Sequence, residues 1–248
     1  MITIYAHPRC SDSFHVYQLL EQNSLLETVK FINTETNPLS ALEAGVFAVP
    51  AFAKAGKVVL QGYFVDEEIL ELVKAGSILI EDEKSALDRL IKSILSSYLT
   101  SSIVYLKGSF DVLLHSEQFL LSASGAFFLP EQRNFLSMAY KYLSGLKITE
   151  ENERSFHRII AGNYIRDLYW IRGGNISRTT LESLGENHFR EWILQRSSIG
   201  RVFVPQSYPL TAEVLDRIHR AWIYTLERSE IIIQRVREEQ EKIPKDWL

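Results

Sequence analysis

Apolar positions in the first third of the chain fall into short β-like runs separated by helical spacings. Ile2 to Tyr5 reads as a buried strand. After the turn His7-Pro8-Arg9-Cys10, the stretch Phe14 to Gln22 places Val16, Tyr17, Leu19 and Leu20 where a helix packed on a sheet needs them. Val29 to Ile32 predicts a second strand, and Leu39 to Ala44 a short helix closed by Gly45, since glycine accepts the left-handed conformation that ends helices. Phe52 and Ala53, then Val58 to Leu60 across the turn at Lys54 to Lys57, predict a β-hairpin. Glu67 to Lys74 predicts a further helix, with Asp66 as its N-cap and Gly76 near its end.

Beyond Ala75-Gly76-Ser77 and the acidic cluster Glu81, Asp82 and Glu83, the pattern turns helical. Leu87, Leu90, Ile91, Ile94, Leu95 and Tyr98 fall three and four apart and make one continuous apolar face. Further helical patterns cover 111–122, 131–145, 150–172 and 178–196, and a long final helix is expected from Thr211 to Glu241 with Leu215, Ile218, Trp222 and Leu226 on one stripe. Pro130, Gly173-Gly174 and the segment Pro205 to Pro209 punctuate them. The expected organisation is an α/β domain over residues 1–76, too small to be more than marginal alone, followed by an all-α bundle of about six helices over 78–248.

Charge and composition narrow the function classes. A hydrophobic share of 46% with 23% charged residues suits a globular chain. The net charge of −4 argues against nucleic-acid partners, because phosphate neutralisation needs a dense basic surface. No apolar run approaches the ~18 residues of a membrane span, and the amino terminus lacks a signal-peptide pattern, so a cytoplasmic protein with no membrane partner is expected. Six histidines show no paired metal-ligand spacing, and no metal site is expected. Every basic residue between Ile148 and Glu241 is arginine. Arg158, Arg166 or Arg172 with Tyr169 could grip a carboxylate, but a similar number of acids in the window favours ion pairs on exposed helix faces.

The single cysteine, Cys10, carries the candidate chemistry. It falls where the first strand should end and the first helix begin, and unpaired amides and the helix dipole favour an anion there. Arg9 and His7 add positive potential, so a thiolate is expected at neutral pH. Asp12 pulls the other way unless it is turned toward the helix amides. Ser13 is placed to donate a hydrogen bond to the sulfur.

The run Ile2 to Leu20, with Cys10-Ser11-Asp12-Ser13 at its turn, resembles the strand, active-site turn and first helix of glutaredoxins. Val49-Pro50 followed by Ala51-Phe52 and the hairpin Ala55-Gly56-Lys57-Val58-Val59 is similar to the corresponding segment of the thioredoxin superfamily. The resemblance covers residues 1–76. It implies an α/β thioredoxin-like N-terminal domain, a cis Pro50, and a substrate lying along Val49 and Pro50. With the placement at the helix mouth, Cys10 is expected to be the nucleophile, Arg9 and the helix terminus its electrostatic support and Ser13 a hydrogen-bond donor. Gly62-Tyr63 is similar to the family's glycine turn, with Phe64 and Val65 standing between it and Asp66, the third substrate-binding candidate. Ser13 replaces a second cysteine, so a mixed disulfide must be resolved by another thiol.

The expected activity is single-cysteine thiol–disulfide chemistry on a thiol-bearing small molecule or a protein disulfide. No resident cofactor is assigned; glutathione or another low-molecular-weight thiol is the candidate. An α/β domain followed by an all-α helical C-terminal domain also resembles the layout of glutathione S-transferases. A transferase-like activity and a non-catalytic interaction or scaffold role that keeps the fold therefore stand as alternatives.

Overall fold

The computed structural model describes residues 1–198 and 210–248. The expected punctuation at Pro205 to Pro209 lies outside the described residues. Four strands, β1 (Ile2–Ala6), β2 (Val29–Asn33), β3 (Ala51–Lys54) and β4 (Lys57–Gln61), form one mixed sheet in the order β2-β1-β3-β4. β1 runs parallel to β2, with α1 (Ser11–Gln22) as the crossover, and antiparallel to β3, which turns back into β4.

Alternation along the strands builds a core on each face of the sheet. Ile4, Phe52 and Leu60 are fully buried against Val16 and Leu20 of α1 and Ile69 and Leu72 of α3 (Asp66–Ala75). On the other face, Tyr5, Ala51, Ala53 and Val58 pack with Val46 and with Ala41 of α2 (Pro38–Glu43).

The rest of the described chain is mostly helical: α4 (Glu83–Ser96), α5 (Tyr98–Lys107), α6 (Glu117–Ser124), α7 (Gln132–Gly145), α8 (Glu150–Ile171), α9 (Arg178–Ser198), which breaks at Gly185 (φ 72°, ψ 175°), α10 (Ala212–Glu227) and α11 (Ser229–Glu241). α8 is central, packed against α4, α5, α9, α10 and α11. The capping box of α8 closes its start, with the Asn152 N–H donating to Thr149 Oγ1 and the Thr149 N–H to Asn152 Oδ1, both at 3.2 Å. No helix among the described residues is long and apolar enough to cross a membrane.

Three helical expectations are corrected. α5 has no counterpart in the pattern, because Leu99 to Leu106 is buried on every side and shows no amphipathic stripe. The stretch expected as one helix over 111–122 is a 3-10 turn, Phe110–His115, and then α6, whose first turn is capped by Ser116 accepting from the Phe119 N–H. The long final helix is two, α10 and α11, broken at Arg228 (φ −104°, ψ 7°). Thr225 and Ser229 on either side bond back to the carbonyls of Ala221 and Leu226, side-chain bonds of the kind that bend helices.

The sheet and the helices meet at β4. Gln61, fully buried, accepts from the N–H groups of Phe47 (2.8 Å) and Ala48 (3.2 Å) and donates to Gly45 O (3.3 Å) and to Ser122 Oγ of α6 (2.7 Å). Next to it Gly62 (φ +85°) lies so close to α4 that a Cβ would come 2.7 Å from that of Ser93. Arg89 of α4 pairs with Glu68 of α3 and donates to Tyr63 O at 2.6 Å.

Candidate functional site

Cys10 occupies the N-cap of α1 in an extended conformation (φ −97°, ψ 120°), and its carbonyl accepts the Phe14 N–H at 3.0 Å. The turn before it is closed on itself. The Cys10 N–H donates to His7 O (3.0 Å), the Arg9 N–H to His7 Nδ1 (3.2 Å) and the His7 N–H to Ser13 Oγ (3.2 Å). The sulfur faces the carbonyl of Val49 at 3.6 Å, and the Val49–Pro50 peptide bond is cis. Cys10, Ser13, Val49 and Pro50 are thus brought to one place, where the end of β1, the start of α1 and the loop into β3 converge. The buried amide of Gln61 holds that loop through Phe47 and Ala48, the two residues immediately before Val49.

Arg9 and Asp66 are engaged elsewhere. The Arg9 guanidinium pairs with Glu35 at 2.6 Å and lies 4.7 Å over the ring of Trp170 on α8. Asp66 is the first residue of α3, with Val65 as the N-cap, and its exposed carboxylate pairs with His15 of α1 at 2.8 Å.

The electrostatics reverse the expected thiolate. Removal of the sulfur from water, and then the Asp12 carboxylate, push the Cys10 thiol above its ordinary value. The Ser13 hydroxyl and N–H, and beyond them Arg166 of α8, pull it down by less. Asp12 is itself raised, first by desolvation and then by Glu239 of α11, with Arg166 and His15 opposing. The adjacent His7 is lowered by burial, which leaves it a neutral ring at pH 7. A dipole at a helix mouth does not outweigh lost hydration and a carboxylate two residues away.

The helical half contributes residues that the pattern did not single out. Gln240 of α11, almost fully buried, donates to Arg9 O (3.1 Å) and accepts from Trp170 Nε1 (2.6 Å). Trp247 donates to Pro8 O (2.8 Å), and its ring packs edge-on against Phe14, Tyr17 and Phe31 at 5.4, 5.5 and 6.5 Å. Arg166 does not form a free anion pocket. Its Nη2 reaches both oxygens of Glu239, at 2.9 and 3.2 Å. One signal for this layer was available in the sequence: Trp247 is a lone aromatic in the polar tail after α11. Among the described residues no cluster of three or more His, Cys, Asp or Glu could hold a metal ion.

Comparison of the chain with models of protein families, with curated proteins and with solved structures finds no match.

Proposed function

We propose that the chain is a single-cysteine thiol–disulfide protein of glutaredoxin-like type, with a thioredoxin-like N-terminal part, that rests with its thiol protonated. The observation that carries this reading is the placement of Cys10 Sγ at the first turn of α1, 3.6 Å from the Val49 carbonyl. An extended partner lying along Val49 would bring its sulfur to Cys10. Ser13 stabilises the thiolate when it forms.

In the exchange, Cys10 gives up its proton and its sulfur attacks one sulfur of a disulfide. The S–S bond breaks, and the departing sulfur leaves as a thiolate that takes up a proton. A second thiol, of the glutathione type, then attacks the partner sulfur of the mixed disulfide, and Cys10 leaves as a thiolate and is reprotonated. The resolving thiol comes from outside, because the chain has no second cysteine.

The test is incubation with oxidised glutathione followed by intact-mass measurement, with Cys10→Ser as the blank. One glutathione per chain, released by a reducing dithiol, is expected. No adduct after prolonged incubation at alkaline pH overturns the reading.

A scaffold role is the second reading, and the Asp12 carboxylate beside a desolvated sulfur is the observation that favours it. Under that reading Cys10 forms no adduct, and Cys10→Ser leaves partner capture unchanged.

A further inference from the structure

The two carbonyls that precede Cys10 are both taken by the C-terminal segment. Gln240 donates to Arg9 O, and Trp247 donates to Pro8 O. Gln240 is held in turn by Trp170 of α8, and the neighbouring Glu239 is clamped by Arg166. After α11 only Ile243 is buried, while Pro244, Lys245 and Asp246 are exposed. The tail therefore spans open surface between two anchors, Ile243 and the Trp247 indole, and the second anchor sits on α1, which begins beside the thiol, and on β2, the neighbour of β1.

We infer that residues 240–248 form a latch on the Cys10 turn, fastened by Trp247 against Phe14, Tyr17 and Phe31, and that this latch must release before Cys10 reacts at its full rate. The inference rests on the reading of Cys10 as the working thiol and adds its regulation. The groups that surround the sulfur from each packed element are consistent with a closed resting state. Asp12 and Ser13 of α1 and Arg166 of α8 act on the sulfur; Asp12 in turn faces His15 of α1, Arg166 and Glu239 of α11, and Glu239 pairs with Arg166 at 2.9 Å and so shares the charge that opposes Asp12.

The experiment measures the rate of iodoacetamide alkylation at Cys10 by mass spectrometry in the full chain, Trp247→Ala, Trp247→Phe and Glu239→Gln. Trp247→Ala is expected to react about tenfold faster, the factor that corresponds to roughly 1.4 kcal/mol less closed-state stability. Trp247→Phe keeps the ring contacts and loses the bond to Pro8 O, so a smaller gain is expected in a variant that retains its packing. Glu239→Gln is expected to lower the pH at which alkylation is half-maximal, because Arg166 is freed to face the sulfur. Unchanged rates in both Trp247 variants overturn the latch. Alkylation needs no disulfide, so the two readings fail separately. Variants that alkylate faster yet form no adduct with oxidised glutathione uphold the latch and overturn thiol–disulfide exchange.

Discussion

Cys10 shows how a local motif is overruled by its surroundings at the scale of single residues. The thiol sits where a helix mouth should ionise it, yet desolvation and Asp12 hold it protonated. Asp12→Asn removes the second of the two influences that raise the thiol, and the thiolate absorbance of Cys10 should then titrate at lower pH than in the parent. The same logic governs His157 in the helical half. Its ring lies 2.7 Å from the Tyr105 hydroxyl and packs against Tyr105 and Tyr224. Burial lowers its pKa below the ordinary histidine value of ~6.5, with Glu153 opposing and Arg220 reinforcing the shift. A folded pKa below the unfolded one gives stability that is present above pH 6.5 and lost as pH falls toward the folded value. Urea midpoints should therefore decline on acidification below pH 6.5, and less steeply in His157→Gln.

Among the elements, the loop between α2 and β3 is set less by its own sequence than by one amide from β4. Gln61 satisfies two N–H groups just before Val49 and ties them to Ser122 of α6. Gln61→Ala leaves those buried donors without partners and should cost about 2–4 kcal/mol in chemical denaturation. It should also loosen the Val49 wall, and faster hydrogen exchange at Phe47 and Ala48 is the matching signature. The order of strands and helices over residues 1–76 was legible because each strand alternates or is continuously apolar, and each helix has a stripe. α5 was not, because a helix buried all round has no polar face to set a period. The break at Arg228 was hidden for a different reason. Its causes, Thr225 and Ser229 bonding to backbone, are weak local competitors inside a strongly amphipathic run.

For the whole molecule, the junction of sheet and helices explains why the candidate site could be only half read from the chain. Cys10, Ser13, Val49 and Pro50 converge through contacts within the first 61 residues, and their placement was legible as a pattern. Arg166, Glu239, Gln240 and Trp247 reach the same turn across more than 150 residues of sequence, and no periodicity encodes that approach. The junction itself depends on Gly62. Gly62→Ala asks for a left-handed alanine and drives its Cβ into Ser93, so a loss of about 2–4 kcal/mol is expected, read as a lower thermal midpoint for the whole chain. Cys10 rests as a partly buried thiol whose charge is set by Asp12 and Ser13 on one side and by Arg166 of the helical half on the other. The most direct test is the pH profile of iodoacetamide alkylation of Cys10 in the unaltered protein. A midpoint above the ~8.5 of a free cysteine is expected, and a midpoint clearly below that value would contradict a resting thiol.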